Sequence, residues 1–221
     1  FTLIIYAMSD IHGQERAFEE ALSLVDLADP EVMLVLCGDY IDHGREHPEW
    51  FDRIRRLQEM HPGQVVVLKG NHEDAYLESF AGTLSRETRR WLRDLPLFYE
   101  TERHIFVHAG IEEDAGDLWR VACEDWFFHS KIPASFGPFF KDIIAGHVGT
   151  YRFCGENRVY WDGESLFYVE ASTETSGVVP VLKYDSATNR YTTFTPETTS
   201  DGTTTWTEDI VHAGRPTEES F

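Results

Sequence analysis

The sequence predicts an α/β layered domain whose C-terminal side carries antiparallel strands. Apolar strand-like runs alternate with amphipathic helical segments through the first half of the chain. Residues 158–195 then hold short β-type runs separated by Gly, Asp, Ser and Asn turns. The 221 residues are 42% hydrophobic and 14% aromatic, which is enough apolar material to bury a core of several layers.

The first half of the chain supplies the alternating elements in order. Residues 3–8 are apolar without interruption, which is typical of a strand covered on both faces. Phe18, Ala21, Leu22 and Val25 then recur at helical spacing. Further strands are predicted at 32–36, 65–68, 98–101, 104–107 and 143–145, and further helices at 49–60, 73–80 and 85–94.

The C-terminal part of the chain has a different character. Short β-type runs are predicted at 159–161, 166–169, 178–184 and 191–194. From Pro196 onward the chain is rich in Thr and acidic residues. We therefore expect residues 1–195 to form a single domain, and residues 196–221 to form a loose tail or one extra hairpin.

Composition limits the classes of function. The formal net charge of −20 repels a long polyanion, so a duplex or RNA substrate is not expected. No stretch approaches the roughly 18 apolar residues that a membrane span needs. Three cysteines (Cys37, Cys123 and Cys154) are odd in number and far apart, which indicates a reduced, cytoplasmic protein without a disulfide framework.

Ligand-type side chains follow five of the predicted strands. Residues two apart in an extended chain point the same way, so Asp10 and His12 can reach one ion together. In open α/β sheets, sites gather at the carboxyl ends of the strands. A mixed set of oxygen and imidazole ligands suits manganese, iron or zinc. The five clusters contain Asp10 with His12, Asp39, Asn71, His108 and His147.

The order and spacing of these clusters carry a resemblance to a known family. The motifs are Asp10-x-His12, Gly38-Asp39-x-x-Asp42-x-Gly44, Gly70-Asn71-His72-Glu73, His108-Ala109-Gly110 and Gly146-His147. With them, about residues 3–170 resemble the calcineurin-like metallophosphoesterases, most of all the branch of serine/threonine phosphoprotein phosphatases with its small bacterial and phage members. The resemblance implies a two-sheet β sandwich flanked by helices, with a metal site at the strand ends.

The resemblance also implies which residues hold two divalent ions, with manganese expected and iron or zinc as alternatives. Asp10 and His12 would bind the first ion, and Asp39 would bridge both ions. A hydroxide generated between two such ions attacks phosphorus in line. The ligands implied for the second ion besides Asp39 are Asn71, His108 and His147.

Two further residues receive catalytic roles from the same motifs. His72 would protonate the leaving alkoxide, and Asp42 would orient and charge-stabilise His72. For Glu73 two roles stay open. It would either position the loop or cap the helix that begins there, since acidic residues favour the first turn of a helix.

The substrate-binding positions depart from the family pattern. The family usually carries a phosphate-binding Arg where this chain has His43, and Arg45 lies two residues further on. A second such Arg normally follows a Trp after the His-Ala-Gly motif, but this chain has Phe128 near that place. Arg120 and Lys131 are the remaining candidates. His43 and Arg45 are therefore the expected substrate-binding residues.

Three functions are compatible with these observations. The leading one is a phosphomonoester hydrolase that acts on phosphoserine or phosphothreonine in proteins, or on a small phosphate ester. The second is a hydrolase of dinucleoside polyphosphates such as diadenosine tetraphosphate, which the same metal site can support. The third is a phosphate-binding protein with little turnover, suggested by the missing arginines.

Overall fold

Two mixed β-sheets flanked by helices form this protein, as the sequence predicts. The structure is a computed structural model, and it describes residues 2–41 and 48–214. In this part of the chain, no helix has both the length and the apolar character to cross a membrane. In chain order the described strands are β1 (Ile4–Met8), β2 (Val32–Leu36), β3 (Val65–Val67), β4 (Phe98–Glu100), β5 (His104–Val107), β6 (Asp142–Ala145), β7 (Tyr160–Trp161), β8 (Leu166–Tyr168), β9 (Val181–Asp185), β10 (Arg190–Thr198) and β11 (Thr204–Ala213).

Helices of unequal length connect these strands. The four predicted in the first half are present, although the third begins at Asn71, two residues before its predicted start. The short helices after β5 have too few turns to show a periodic pattern in the sequence. The described helices are α1 (Glu15–Leu22), α2 (Glu49–Met60), α3 (Asn71–Phe80), α4 (Arg86–Asp94), α5 (Trp119–Ala122), α6 (Asp125–Ser130), α7 (Tyr151–Cys154) and α8 (Thr173–Ser176).

The strand order brings the ligand-bearing loops together. The first sheet has the order β11-β10-β9-β1-β2-β3, with β1, β2 and β3 parallel. The second has the order β4-β5-β6-β8-β7, with β5, β6 and β8 parallel. Because parallel strands end at the same edge, the loops after β1, β2 and β3 meet, and so do those after β5 and β6.

β10 and β11 form a hairpin at the outer edge of the first sheet. They pair antiparallel from Arg190 with Ala213 to Thr198 with Thr204. The hairpin therefore spans residue 195, where the sequence analysis places the end of the domain. The division of the chain at that residue stays a prediction.

Alternation along β1 shows how the core is built. Ile5 and Ala7 belong to the apolar layer between the two sheets, which also contains Phe106. Tyr6 and Met8 point the other way, into the layer under the helices of the first sheet. Both faces of β1 are thus covered, which accounts for its uninterrupted apolar sequence.

A buried series of side-chain hydrogen bonds links the two sheets. The Tyr191 hydroxyl on β10 donates to Asp142 Oδ2 at 2.7 Å and lies 2.7 Å from His104 Nε2. On the other side of the ring, His104 Nδ1 lies 2.9 Å from the Thr101 hydroxyl. Burial lowers the pKa of His104 to about 3, and the charges of Arg103 and Lys141 act in the same direction. A neutral His104 satisfies these hydrogen bonds, because Nε2 donates to the Tyr191 hydroxyl and Nδ1 accepts from the Thr101 hydroxyl.

His104 predicts a pH dependence of stability. The unfolded chain takes up a proton on this residue below about pH 6.5, but the folded chain does so only near pH 3, so the unfolded state binds more protons between these values. The free energy of unfolding should fall as pH drops below 6.5, by up to about 1.4 kcal/mol per pH unit from this group. Denaturation of EDTA-treated protein across about pH 5–7 measures the slope.

The matched variant for this experiment is His104→Gln, which does not titrate but keeps a side-chain donor toward Tyr191. Its free energy of unfolding should change less steeply with pH. The difference in slope between the two proteins should correspond to about one proton. Contributions from all other groups are common to both proteins and cancel in the difference. Equal slopes for the two proteins would contradict a neutral, buried His104.

Candidate metal centre

The ligand-type residues predicted from the sequence surround one cavity of about 340 Å³. Five of the six line its wall, and the sixth, His108, is fully buried. His108 Nε2 reaches the same cluster, since it lies 3.2 Å from Asp39 Oδ2. The five residues in the wall are Asp10, His12, Asp39, Asn71 and His147.

Two groups of ligand atoms meet at Asp39. The first group joins Asp39 to His12 and His72, and the second joins it to His108 and His147. Within each group the ligand atoms lie within 4.8 Å of one another. Because Asp39 belongs to both, its carboxylate lies where it could bridge two ions. The first group contains His72, to which the sequence gives a catalytic rather than a ligand role.

The surroundings of the Asn71 amide fit a cation. Its Oδ1 lies 3.0 Å from His108 Nε2. It also lies 3.0 Å from His147 Nδ1, 3.1 Å from His129 O and 3.3 Å from Asp39 Oδ2, so the amide oxygen faces four nitrogen and oxygen atoms. Neighbouring ligands of an octahedral ion at about 2.1 Å are roughly 3 Å apart. Without an ion, turning the amide directs its NH2 group toward three acceptors, which are His147 Nδ1, His129 O and Asp39 Oδ2.

The backbone bends sharply at four of the ligand-type residues, so the extended conformation assumed above for Asp10 to His12 is wrong. Asp10, His12, Asp39 and His147 have φ of 52°, 45°, 57° and 64°, in the left-handed region that side chains other than glycine rarely adopt. Such conformations cost on the order of 1 kcal/mol each and persist only where the surrounding structure imposes them. Here hydrogen bonds impose them: Asp10 N donates to Gly38 O at 3.0 Å, and Asp10 Oδ2 accepts from His147 N at 3.0 Å.

Glu73 connects the loop after β2 to the beginning of α3. Its fully buried carboxylate accepts hydrogen bonds from Asp39 N at 2.9 Å, Tyr40 N at 2.9 Å and Gly70 N at 2.8 Å. A Cβ atom at Gly70 would overlap the Asp39 carboxylate, so only glycine permits this approach. Both roles that the sequence left open for Glu73 are present, since it caps α3 and positions the Asp39 loop.

Burial and neighbouring charges control the protonation of the cluster. Burial lowers the pKa of His12 and His108, but the carboxylates of Asp10 and Asp39 outweigh it and raise these values to about 9 and about 10. For His147 burial dominates, and together with His108 it lowers the pKa to about 4. His108 Nδ1 lies 2.8 Å from Cys37 O and donates to it, which leaves Nε2 directed at the cluster.

Burial alone would raise the pKa of Asp39, but His108, His72 and His12 lower it below its usual range. For Glu73 burial and then the charge of Asp39 raise the pKa to about 7, against its backbone hydrogen bonds. The imidazoles around Asp39 thus keep its carboxylate ionised, and a ligand between two cations needs this charged form.

His72 lies at the cavity wall beside Asp39. Its Nδ1 is 3.1 Å from Ile41 O, and its Nε2 is 3.7 Å from Asp39 Oδ2. Three residues with predicted roles lie outside the described part of the chain, which omits residues 42–47. These residues are Asp42, His43 and Arg45.

The two other candidates for the missing arginines have partners elsewhere. Arg120 pairs with Glu100, and Lys131 contacts Glu113 and, at 2.7 Å, the Ser135 hydroxyl. Neither lines the cavity. The cavity wall instead contains Arg152, a residue that the sequence analysis did not single out. Its one signal in the sequence is a position five residues after His147 in the same strand-end segment.

Comparison with known proteins identifies related sequences. The profile of the calcineurin-like phosphoesterases matches residues 3–176. A symmetrical bis(5'-nucleosyl)-tetraphosphatase of Janthinobacterium sp. (strain Marseille) is 27% identical over 122 residues, which cover 48% of this chain and 43% of that protein. A probable serine/threonine-protein phosphatase of Encephalitozoon cuniculi is 26% identical over 49% of this chain and 27% of its own. The chain thus spans less than half the length of these curated relatives.

Solved structures show the same fold. A protein serine/threonine phosphatase from Saccharomyces cerevisiae superposes with a TM-score of 0.59 at 15% identity, covering 82% of this chain and 72% of that chain. A putative diadenosine tetraphosphatase has a TM-score of 0.59 at 14% identity and covers 93% of both chains. At such low identity these two neighbours support the fold alone.

The contacts of Glu73 predict how its loss affects the cluster. In Glu73→Gln an NH2 group faces backbone N–H donors, so the free energy of unfolding should fall by about 1–3 kcal/mol. Because the Asp39 loop loses its anchor, Mn²⁺ affinity should fall about 10–100-fold, the range for residues that support ligands. Calorimetric titration with Mn²⁺ measures this effect, and Glu78→Gln, exposed on the same helix, is the control. Unchanged affinity in Glu73→Gln would refute the positioning role.

Proposed function

The chain belongs to the calcineurin-like phosphoesterase family, and from this membership we propose that it hydrolyses phosphate monoesters with the help of two divalent metal ions. The observation that carries the proposal is the place of Asp39 in two separate groups of ligand atoms. Around it, carboxylate, amide and imidazole groups converge on a cavity open to substrate. This mixed set of oxygen and nitrogen ligands suits manganese, with iron or zinc as alternatives.

In the proposed site each ion has its own ligands beside the shared Asp39. Asp10 and His12 would hold the first ion, and the Asn71 oxygen would be a ligand of the second. When bound, such a pair of ions polarises a phosphoryl oxygen and lowers the pKa of an attacking water. The remaining ligands of the second ion are His108 and His147.

His72 is the proposed general acid. If Nδ1 donates to Ile41 O, the ring is held with Nε2 toward the cavity, where a proton on Nε2 can pass to the leaving oxygen. Asp42 is the proposed carboxylate that orients His72. His43 and Arg45 stay the sequence-based candidates for binding the substrate from that loop.

The charge of the cavity favours a compact substrate. Its wall contains the carboxylates of Glu170 and Glu174 in addition to those of Asp10 and Asp39. Burial, followed by the charge of Asp10, raises the pKa of Glu170 to about 7. A phosphate monoester brings two negative charges, which two divalent ions neutralise. Phosphoserine, phosphothreonine or a small phosphate ester fits these conditions.

A second candidate is the symmetrical hydrolysis of dinucleoside tetraphosphates. It is favoured by the relative of that name in Janthinobacterium. Four linked phosphates would need several cations beyond the metal centre. Within the described residues, the cavity wall offers one arginine and no lysine, so the geometry favours the monoester.

The two candidates predict different substrate preferences. With Mn²⁺ present, we expect hydrolysis of p-nitrophenyl phosphate and of a phosphoserine peptide, with a kcat/KM about tenfold or more above that for diadenosine tetraphosphate. EDTA should abolish the activity and Mn²⁺ restore it. Asp39→Asn, which weakens the shared ligand, is the control for adventitious phosphatase. Faster release of ADP from diadenosine tetraphosphate would favour the second candidate, and turnover of none of the three substrates would refute the proposed function.

Replacing His72 tests the general acid. His72→Asn should lower kcat for a phosphoserine peptide about 10²–10⁴-fold, the usual contribution of such a group. The loss should be smaller for p-nitrophenyl phosphate, because its leaving group scarcely needs protonation. Calorimetry with Mn²⁺ checks that the ligands are intact. An equal loss for both substrates would remove His72 from this role.

A further inference from the structure

One wall of the cavity is built by residues outside the proposed ligand set. It comes from the loop after β6 together with α7, and from the loop after β8 together with α8. We call it the α7–α8 wall. Its residues are Gly149, Arg152, Glu170, Ser172, Glu174 and Thr175.

The two segments of this wall are packed tightly together. Thr150 N donates to Glu170 O at 2.8 Å, and the Thr150 side chain is fully buried. A Cβ atom at Gly149 would lie 2.5 Å from Ser172 Oγ and 2.7 Å from Glu170 Oε2, so a larger residue there would force these side chains to shift. The start of α7 is therefore packed against the loop after β8, and α7 places its exposed Arg152 side chain at the cavity wall.

Arg152 is the one lysine or arginine that contributes to this cavity within residues 2–41 and 48–214. The same described part of the chain gives its guanidinium no ion-pair partner. Some other described arginines are paired, such as Arg158 with Glu156 and Arg53 with Glu19. An arginine that stays unpaired beside carboxylates keeps its five donors available for an anion in the cavity.

We propose that Arg152 binds the phosphoryl oxygens of the substrate, the role that the sequence analysis gave to His43 and Arg45. This proposal rests on the proposed function and adds a residue that binds its substrate. A guanidinium can donate two parallel hydrogen bonds to a phosphoryl group and stays charged at every working pH. The neighbouring Glu174 repels further negative charge, so the site accepts one phosphoryl group on a neutral or positively charged leaving group.

The experiment compares Arg152→Ala and Arg152→Lys with the wild-type protein. For a phosphoserine peptide with Mn²⁺, KM should rise about 10–100-fold in Arg152→Ala, the range for lost charge-assisted hydrogen bonds. In Arg152→Lys, KM should rise less, because the positive charge remains although the two parallel hydrogen bonds of the guanidinium are lost. The affinity of the Mn²⁺-loaded protein for inorganic phosphate, measured by calorimetry, should fall by a similar factor. This readout does not depend on turnover.

Two controls make the result specific. Arg158→Ala removes an arginine that lies outside this cavity and pairs with Glu156, so KM and phosphate affinity should be unchanged. Arg45→Ala tests the alternative binding residue. Thermal unfolding should be the same in Arg152→Ala and the wild type, since the side chain is exposed.

The outcomes separate this proposal from the proposed function. If the wild type turns over phosphate esters but Arg152→Ala keeps KM and phosphate affinity within about twofold, Arg152 does not bind the substrate. A loss confined to Arg45→Ala has the same meaning. If the wild type shows no metal-dependent turnover, the proposed function fails. Phosphate binding by the wild type and by Arg152→Ala then still decides the role of Arg152.

Discussion

The buried carboxylate of Glu73, bonded to three backbone amides, holds the arrangement of the candidate metal centre. Two of these amides belong to the loop after β2, and the third belongs to Gly70 at the beginning of α3. One side chain thus fixes the distance between Asp39 and Asn71. Because Asp39 is shared by both groups of ligand atoms, a displacement of its loop would disturb both groups.

The remainder of the site concentrates backbone strain together with buried charge that a cation would neutralise. Four ligand-type residues adopt left-handed backbone conformations, and Asp10 and Asp39 are buried beside imidazoles. Without an ion, these carboxylates raise the pKa of His12 and His108, so protons partly take the place of metal charge. Sites that concentrate strain and buried charge are typical of function rather than of stability, and the fold supports them through the two sheets beneath.

Family membership and substrate choice depend on different parts of the molecule. Residues 3–176 match the calcineurin-like phosphoesterase family, and similar proteins carry the names of both a tetraphosphatase and a protein phosphatase. The residues proposed to bind the substrate belong to the α7–α8 wall and to the sequence segment that contains His43 and Arg45. In this protein the described wall combines one arginine with two acidic residues, which limits how much negative charge a substrate can bring.

The sequence by itself determined the α/β class, most strands of both sheets and the residues that gather at the strand ends. This was possible because each ligand-type residue lies within a few residues of an apolar strand, and parallel strands bring their ends together. Only the tertiary structure decided the partners of the long side chains. Arg120 and Lys131 pair with Glu100 and Glu113, whereas Arg152 lines the cavity, and Gly149 near it packs against Ser172. Such contacts join segments about twenty residues apart and leave no periodic trace in the sequence, so folding alone brings them into place.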